Sequence, residues 1–324
     1  MILGIESTAH TFGISVVEKG KILSNEKASY TTKKGGIVPI EAARHHEKTK
    51  QEVYKQALER AGIKEEDIKA IAFSNAPGLA PCLLVGLNFA KSLARKLSLP
   101  LVPINHCVAH LEIGKITGSK DPVLLYTSGA NTQIIAYEAG KYRVFGETLD
   151  TGVGNFLDTF GRYAGQGFPA GPKLEQLAKK GKYLELPYSI KGMDIAFSGI
   201  LTKARNLLEN KKASKEDLAF SIQETAFSML VEAAERALAH TGKKELLLGG
   251  GVACNSRLQE MCKIMAKERK AKFFCPPRSL LVDNAGMIAY LGEIMFKAKL
   301  GTKNYDKIDI LPRQRTDDVK VRWK

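Results

Sequence analysis

The chain opens with Ile2-Leu3-Gly4-Ile5-Glu6-Ser7-Thr8-Ala9, and its next apolar run ends in the turn Glu18-Lys19-Gly20-Lys21. Segments 2–6 and 12–17 are apolar and β-branched, which predicts two strands, with a third near 21–25. A shift of 120 residues places Ile14-x-x-x-Glu18-x-Gly20-Lys21 on Ile134-x-x-x-Glu138-x-Gly140-Lys141. The same shift places Ser7-Thr8-Ala9 on Thr127-Ser128-Gly129. A hairpin that recurs in this way predicts two related lobes rather than one long sheet.

The rest of the chain alternates strands and helices, as an α/β protein does. We expect strands at 69–74, 101–105, 245–248 and 272–275, and helices at 40–61, 81–97, 155–165, 173–181, 217–240, 255–269 and 284–299. These segments predict an N-terminal lobe over 1–118, completed by the C-terminal segment from about 295 to 324, and a C-terminal lobe over 119–294. A cleft between the lobes is the expected place for a ligand.

The composition predicts a soluble globular protein of the cytoplasm. Of the 324 residues, 44% are hydrophobic and 26% charged, and no apolar stretch reaches the ~20 residues of a membrane span. The start lacks the pattern of a signal peptide. The five cysteines are odd in number and form no Cys-x-x-Cys pair, which argues against a disulfide framework or a zinc ribbon and favours a reducing compartment.

The chain carries a large excess of basic residues. Its 49 Lys and Arg against 34 Asp and Glu give a net charge of +15. Such an excess favours a polyanionic partner such as nucleic acid. A heat-adapted surface is the alternative, although adaptation enriches both Lys and Glu.

His106 and His110 stand four residues apart after Asn105. On a helix this spacing puts both imidazoles on one face, where they could share a cation. The alternative is a helix that begins with Asn105 as its cap and carries two ordinary polar histidines. The pair is not the zinc-protease signature, because Cys107 stands where that motif has its general-base Glu.

Carboxylates that could complete such a site occur in two places. Asp283 precedes the last long helix, where it would be either that helix's N-cap or a third metal ligand. Glu6, with Ser7 and Thr8, lies in the first hairpin turn. This turn could orient water or a metal at a phosphate site, or it could simply be solvated.

Several glycine-rich turns could bind an anion or a nucleoside. Tyr126 to Gln133 joins two strands with small residues whose amides and hydroxyls could cradle a phosphate, although a plain hairpin is the alternative. Gly249-Gly250-Gly251 connects a strand to a helix near Asn255, without the features of a P-loop or a Rossmann fingerprint. The bend over 165–172 is either a structural turn or a ligand loop, and Glu175 is expected in the first turn of the helix that follows it. Asp158 is expected on another helix, where it could face either the cleft or the solvent.

Taken together and in order, these motifs resemble the universal tRNA threonylcarbamoyladenosine-synthesis proteins of the Kae/Tsa family, most of all the archaeal catalytic subunit of the KEOPS complex. The motifs are Gly4-Ile5-Glu6-Ser7-Thr8, Asn105-His106-x-x-x-His110, Ser128-Gly129-x-x-Thr132-Gln133, Gly249-Gly250-Gly251-Val252-x-x-Asn255 and Asp283-Asn284-x-x-Met287-Ile288-Ala289. The resemblance covers essentially the whole chain. It implies the two-lobed fold of actin, sugar kinases and Hsp70.

The resemblance also implies site residues and cofactors. It implies one divalent metal, iron with zinc or manganese as alternatives, held by His106, His110 and Asp283, with Tyr126 as a further ligand. It implies an adenine nucleotide, threonylcarbamoyl-AMP and possibly ATP, against Tyr126, Thr127, Ser128, Gly129, Ala130, Asp158, Gly171, Glu175 and Asn255; the glycine turn adds Gly250 and Gly251. Bacterial-type members carry Gly-His where this chain has Ala130-Asn131, which favours the archaeal or eukaryotic-type branch.

The activity implied by the resemblance is transfer of a threonylcarbamoyl group from threonylcarbamoyl-AMP to N6 of the adenosine 3′ to the tRNA anticodon, with release of AMP. No motif supplies an obvious covalent nucleophile, so positioning and a metal that polarises the carbamoyl oxygen or holds the phosphate are expected. The implied partners are tRNA and KEOPS subunits, including a small kinase-like protein expected as a separate chain. Three alternatives remain: an ATPase or small-molecule kinase of the same fold, a non-catalytic nucleic-acid-binding protein and a metalloprotease.

Overall fold

Two five-stranded sheets organise the computed structural model, which describes residues 1–32 and 36–324. The first sheet has the order β3-β2-β1-β4-β5 and the second has the order β12-β11-β6-β7-β8. The strands of the first sheet are β1 (Ile2–Glu6), β2 (Thr11–Glu18), β3 (Lys21–Ser29), β4 (Ala70–Ala76) and β5 (Leu101–Asn105). Those of the second are β6 (Val123–Thr127), β7 (Thr132–Glu138), β8 (Lys141–Glu147), β11 (Glu245–Gly249) and β12 (Lys272–Phe274).

The two sheets repeat one topology. Each combines three antiparallel strands, joined as consecutive hairpins, with two further parallel strands. Ile5 pairs with Ile14 in the first sheet, and Leu125 pairs with Ile134 in the second, so both partners shift by 120 residues. The predicted two-lobed α/β fold is confirmed.

Helices cover both sheets. They are α1 (Pro39–Ala61), α2 (Ala80–Leu97), α3 (His106–Glu112), α4 (Val153–Tyr163), α5 (Gly171–Ala178), α6 (Ser198–Glu209), α7 (Lys215–Thr241), α8 (Ser256–Glu268), α9 (Arg278–Leu281) and α10 (Ala285–Lys297). Although α10 follows the last strand of the second sheet, it packs on β1, β2 and β4 of the first. One buried apolar cluster therefore contains residues of both sheets, among them Ile104, Tyr126 and Leu247.

The structure adds elements that the sequence reading left out. Helix α6 was not predicted, although Ile200 and Ala204 are buried four residues apart on it. The short hairpin of β9 (Ile190–Lys191) and β10 (Asp194–Ile195) was also missed, because two-residue strands have no measurable periodicity. No helix in the described residues combines the length and the apolar character needed to cross a membrane.

The strand directions bring the predicted motifs to one place. β1, β4 and β5 are parallel, so Glu6 and Asn105 lie at the same edge of the first sheet. β6 and β11 are parallel too, so Thr127 and Gly249 lie at the corresponding edge of the second. Ligands of α/β folds bind beyond such carboxyl ends. The segment after α10 contacts both sheets: Gln314 accepts a hydrogen bond from Asn105 at 3.0 Å, and Thr316 donates one to Gln133 at 3.1 Å.

Candidate functional site

Helix α3 presents the histidine pair. Asn105 Oδ1 accepts a hydrogen bond from the Val108 amide at 3.2 Å, so the predicted cap is confirmed. His106 and His110 are 5% and 2% exposed, and their ring centroids lie 4.8 Å apart. They are therefore buried neighbours on one helix face. The alternative, in which they are two ordinary polar histidines, is wrong.

A carboxylate from the other end of the chain joins this pair. Oδ1 of Asp283 lies 3.4 Å from Nε2 of His106, and one ligating atom from each of His106, His110 and Asp283 falls within 4.8 Å of the others. The alternative in which Asp283 caps the last helix is wrong. The N-cap of α10 is Asn284, whose Oδ1 accepts from the Met287 amide at 3.1 Å, which leaves the Asp283 carboxylate free to face the histidines.

The first hairpin turn holds the far side of the His106 ring. Nδ1 of His106 lies 2.9 Å from Oε2 of Glu6 and 3.3 Å from Oγ1 of Thr8. Thr8 in turn donates both its amide, at 2.7 Å, and its hydroxyl, at 2.5 Å, to Oε1 of Glu6. A carboxylate that binds one ring nitrogen leaves the other for a cation and fixes the orientation of the ring. Glu6 and Thr8 therefore form a buried network and not a solvated turn.

The charges of the three ligand candidates differ. Burial by itself lowers the pKa of His106, but the Glu6 carboxylate and the hydrogen bond to Asp283 outweigh it and hold that pKa well above its usual value. Burial, with the nearby His106, lowers the pKa of His110 to about 3. Burial raises the pKa of Asp283, yet its hydrogen bond to His106 prevails and the net shift is downward. The site thus combines a carboxylate with one neutral and one protonated imidazole.

His110 supports a cation at this position. Its Nε2 is buried and has no hydrogen-bond partner in the described part of the chain. An unpaired buried polar atom costs free energy, about 1–3 kcal/mol, unless something binds it. Two imidazole nitrogens and a carboxylate form a donor set that suits transition metals such as iron, zinc or manganese. The residues therefore fit a metal ion.

Tyr126 lies beside this group at the end of β6. It is fully buried, and its ring centroid is 5.0 Å from that of His110. Burial raises the pKa of the Tyr126 phenol well above its usual value. The phenol is therefore neutral here, and it could become a metal ligand only by releasing its proton to the incoming ion.

The turn after β6 is held by backbone contacts. The amide of Ser128 donates to Asn131 O at 2.9 Å, and the carbonyls of Ser128 and Gly129 accept from the first amides of α4, at 3.0 and 2.9 Å. A Cβ at Gly152 would lie 2.3 Å from Gly129 O, so only glycine lets the helix approach the turn. Ser128 and Gly129 are partly exposed and Ala130 is exposed, whereas Thr127 is buried.

The three glycines after β11 are not equivalent. Gly250 has φ +90°, and a Cβ there would lie 2.5 Å from Thr127 O. Only glycine therefore lets the chain after β11 approach the end of β6 so closely. Gly251 has open space at its Cβ position. Asn255 caps α8 through its Oδ1, which accepts from Arg257 N at 2.9 Å, while its Nδ2 donates to Gln223. Among Gly250, Gly251 and Asn255, only Gly251 is exposed to solvent.

Asp158 lies on α4, and Gly171 and Glu175 lie on α5. Asp158 Oδ1 accepts from the Ala170 amide at 2.7 Å, and burial raises the pKa of this carboxyl. Glu175 lies in the second turn of α5, not the first as expected, and its Oε1 accepts from the amide and hydroxyl of Ser256 at 2.9 and 2.5 Å. A Cβ at Gly171 would meet nothing within 4 Å, so this position faces open space.

The sequence reading missed one side chain at this site, His10. Its Nδ1 lies 3.7 Å from Oδ2 of Asp283, and its ring centroid lies 5.8 Å from that of Phe168, which comes from the other lobe. His10 stands alone in a turn, with no partner at a recognisable spacing. Its distance from Glu6, four residues earlier in the same turn, is the one signal that the sequence offered.

Comparisons with known proteins identify the family of the chain. The model of the family TsaD, tRNA N6-adenosine threonylcarbamoyltransferase, matches residues 21–290. A protein of Thermococcus kodakarensis with this name is 54% identical over 322 residues, which cover 99% of each chain. The "probable bifunctional tRNA threonylcarbamoyladenosine biosynthesis protein" of Methanosarcina mazei is 51% identical, and the match covers 99% of this chain but 59% of that longer protein.

A solved structure supports the fold independently of sequence. HypF of T. kodakarensis superposes with a TM-score of 0.63 at 17% identity, over 94% of this chain and 48% of that one. At such identity the likeness concerns the fold alone, and this chain spans about half of HypF. The family match over most of the sequence and the close relatives of equal length establish that this chain belongs to the TsaD family of tRNA N6-adenosine threonylcarbamoyltransferases.

Proposed function

We propose that the protein transfers the threonylcarbamoyl group from threonylcarbamoyl-AMP to N6 of the adenosine 3′ to the tRNA anticodon. The observation that carries this proposal is the meeting of His106, His110 and Asp283 at the lobe junction, beside the turns of both hairpins, in a chain of the transferase family. In this reaction a bond forms between N6 and the carbamoyl carbon, and the bond from that carbon to the phosphate oxygen breaks. AMP leaves, and the amine gives up a proton.

A divalent metal would be held by His106, His110 and Asp283, with Tyr126 as a further ligand after loss of its proton. The orphaned Nε2 of His110 and the carboxylate that faces His106 support this assignment. When bound, such an ion supplies Lewis acidity and a fixed positive charge for oxygen atoms of the donor. The identity of the metal is proposed as iron, with zinc or manganese as the alternatives.

The buried network of the first turn orients the metal-binding ring. Glu6 and Thr8 surround Nδ1 of His106 and fix which ring nitrogen faces Asp283. Loss of such outer contacts typically reduces metal affinity or activity by about 10–100-fold. Glu6 and Thr8 are thus positioning residues, not ligands.

The adenylate is proposed to lie on the wall formed by Ser128–Ala130, Gly171 and Gly251. These positions are at least partly exposed, and a Cβ at Gly171 or Gly251 would meet nothing within 4 Å, as a binding surface requires. Backbone amides in such small-residue turns can bind a phosphate and receive the charge that develops on the leaving AMP. Asp158, Glu175 and Asn255 support this wall through their bonds to Ala170, Ser256 and α8. Gly250 supports the same wall, because its lack of a side chain lets the chain after β11 approach Thr127 at the end of β6.

Partners complete the proposal. The acceptor is tRNA, and the +15 charge of the chain suits it. We propose that KEOPS-type subunits, including a separate kinase-like protein, are needed for turnover. The purified chain alone should therefore bind adenine nucleotide but modify tRNA slowly.

Reconstitution with threonylcarbamoyl-AMP and an unmodified tRNA transcript tests the proposal, with mass spectrometry of the nucleosides as the readout. The proposal is supported if threonylcarbamoyladenosine forms with the wild-type protein and does not form with the His106→Ala variant. Hydrolysis of ATP, or transfer of its terminal phosphoryl group to a small acceptor, with no modified nucleoside under any partner condition, would instead favour the alternative of an ATPase or small-molecule kinase. Fast modification by the chain alone would refute the proposed partner requirement but not the transfer.

A further inference from the structure

One segment of the second lobe is unusually basic. Residues 171–215 contain ten Lys and Arg but four Asp and Glu, so they hold an excess of six out of the whole chain's fifteen. The first lobe has no counterpart, since β3 ends at Ser29 and α1 begins at Pro39, whereas β8 ends at Glu147 and α7 begins at Lys215. The repeated frame therefore does not require this segment.

Two stretches of the segment converge at the start of α7. The amide of Lys182 donates to Oδ1 of Asp217 at 2.7 Å, and a Cβ at Gly181 would lie 2.1 Å from Glu216 O. Ser214 caps α7 through the Asp217 amide. The stretch 179–182 thus packs against the first turns of α7, which directly follow the stretch 211–215. We call their six lysines the basic cluster: Lys179, Lys180, Lys182, Lys211, Lys212 and Lys215.

The charges of the basic cluster are not neutralised within the described chain. All six side chains are exposed, and none lies within 4.0 Å of a carboxylate among residues 1–32 and 36–324. The nearby carboxylate of Asp217 accepts from a backbone amide instead. Lys243 shows the contrast, because Asp121 and Glu138 bind its ammonium at 2.6 and 3.1 Å.

A continuous path joins the basic cluster to the metal ligands. Nζ of Lys215 lies 3.7 Å from the Cβ position of Gly165. Three residues on, the Phe168 ring lies 5.8 Å from the ring of His10, and Nδ1 of His10 lies 3.7 Å from Oδ2 of Asp283. The loop 165–170 therefore has the basic cluster at one end and the candidate reaction site at the other.

We propose that the basic cluster binds the phosphate backbone of the tRNA and so directs the acceptor adenosine toward the cleft. This inference rests on the proposed function, whose acceptor is a polyanion. Unpaired, exposed ammonium groups gain affinity for RNA by releasing its condensed counterions. A protein partner fits the surface less well, because lysine is depleted in protein–protein interfaces.

The test compares two triple variants with equal loss of charge. Lys179→Gln/Lys180→Gln/Lys212→Gln removes half of the basic cluster without touching the backbone bonds that shape it. The matched control is Lys64→Gln/Lys69→Gln/Lys303→Gln, whose exposed lysines lie near the amino ends of β4 and β5, at the edge opposite the cleft. Binding of unmodified tRNA to the full chain is measured over a range of salt concentrations.

The cluster variant should weaken binding at low salt by about tenfold or more, and should reduce the slope of log affinity against log salt by about two to three. The control should keep the wild-type slope, and both variants should bind adenine nucleotide normally. Equal losses in both variants, or none in either, would overturn the proposal. A cluster variant with the wild-type slope that loses transfer only when partner subunits are present would also overturn it and assign the surface to an acidic protein.

The two proposals fail in different ways. Salt-dependent binding through the basic cluster, with no modified nucleoside from the wild-type protein under any partner condition, would refute the proposed transfer and leave the RNA surface intact. Normal modification by the wild-type protein, with tRNA binding unaffected in the cluster variant, would refute the RNA surface alone.

Discussion

The turns that follow β1 and β6 occupy equivalent places in the two lobes but are built differently. In the first, Ser7 and Thr8 are buried, and Thr8 uses its amide and hydroxyl to hold Glu6 beside His106. In the second, Ser128 and Gly129 are partly exposed, and their carbonyls accept from the start of α4. The equivalent backbones thus carry a polar side-chain network in one lobe and a small-residue surface in the other.

This difference shows how a repeated frame acquires two tasks. The frame brings both turns to the lobe junction, because each follows the central strand of its sheet. Side chains then distinguish the turns: a carboxylate and a hydroxyl contact the His106 ring in one lobe, whereas small residues leave the turn partly exposed in the other. Fold sets position, and the residues at the site set function.

The largest effect is expected on the histidine side of this comparison. His106→Ala or His110→Ala should abolish stoichiometric metal binding and transfer, because the three donors act as one site. His110→Ala loses the ring contacts with His106 and Tyr126 but no hydrogen bond of Nε2 within the described residues, so the fold should survive the change. Metal analysis of the purified variants, with circular dichroism for the fold, gives the answer. A double variant that retains a full equivalent of metal would eliminate the site.

The second turn should respond through its glycines. Gly250→Val should destabilise the fold by about 2 kcal/mol or more, since φ is +90° and a Cβ would lie 2.5 Å from Thr127 O. Gly251→Val should leave stability nearly unchanged but weaken adenine-nucleotide binding, because its Cβ position faces open space. Thermal denaturation and calorimetric titration separate the two effects. Normal nucleotide affinity in Gly251→Val would show that the turn is only a connection.

Removing one hydroxyl from each turn tests whether the two turns have different roles. Thr8→Val removes a hydrogen bond to Glu6 and a neighbour of His106 Nδ1, and should lower metal affinity by about 10-fold or more. Ser128→Ala, at the equivalent position, should leave metal affinity unchanged and affect nucleotide binding. Titration with Zn²⁺ and with an adenine nucleotide measures both. Equal losses of metal affinity in the two variants would remove the distinction between the turns.

The first turn should also make metal binding depend on pH. Since the pKa of His106 is raised, the metal-free fold gains stability below the ordinary histidine pKa and loses it as the pH rises through the raised value. A metal must displace this proton, whereas His110, with a pKa of about 3, is already neutral. Affinity should therefore rise about tenfold per pH unit, below the raised pKa, for each proton that the metal displaces. Calorimetry in buffers of different ionisation enthalpy should detect one proton from His106, and a second if the Tyr126 phenol becomes a ligand. Release of no proton would contradict the assignment.

The smallest expected effect distinguishes Asp283 from its neighbour. Asn284→Ala should cost about 1 kcal/mol of stability or more, through loss of the α10 cap and of the bonds that Nδ2 donates to Leu280 O and Val282 O, with metal affinity reduced far less than in Asp283→Ala. Asp283→Ala should reduce metal affinity with little loss of cap stability. Denaturant titration and metal titration on the same two variants provide the measurement. The reverse pattern would restore Asp283 to a capping role.

The sequence could predict the repeat, most helix and strand positions and the histidine pair. These features depend on local spacing: strand alternation, helical periodicity, a cap at Asn105 and a stop at Gly62. Even the offset of 120 residues was visible, because paired positions such as Ile5 with Ile14 and Leu125 with Ile134 obey it. Local signals survive in the fold because neighbours along the chain remain neighbours in a strand or helix.

Tertiary structure alone decided which distant residues meet. His10 approaches Asp283 and Phe168, and the stretch 179–182 packs against the start of α7, although nothing in their spacing links them. The choice between Asp283 and Asn284 as the cap, and between Gly250 and Gly251 as the open glycine, likewise depended on where the backbone of another element passes. Such contacts are set by the packing of one lobe on the other, which a linear pattern of residue types does not encode.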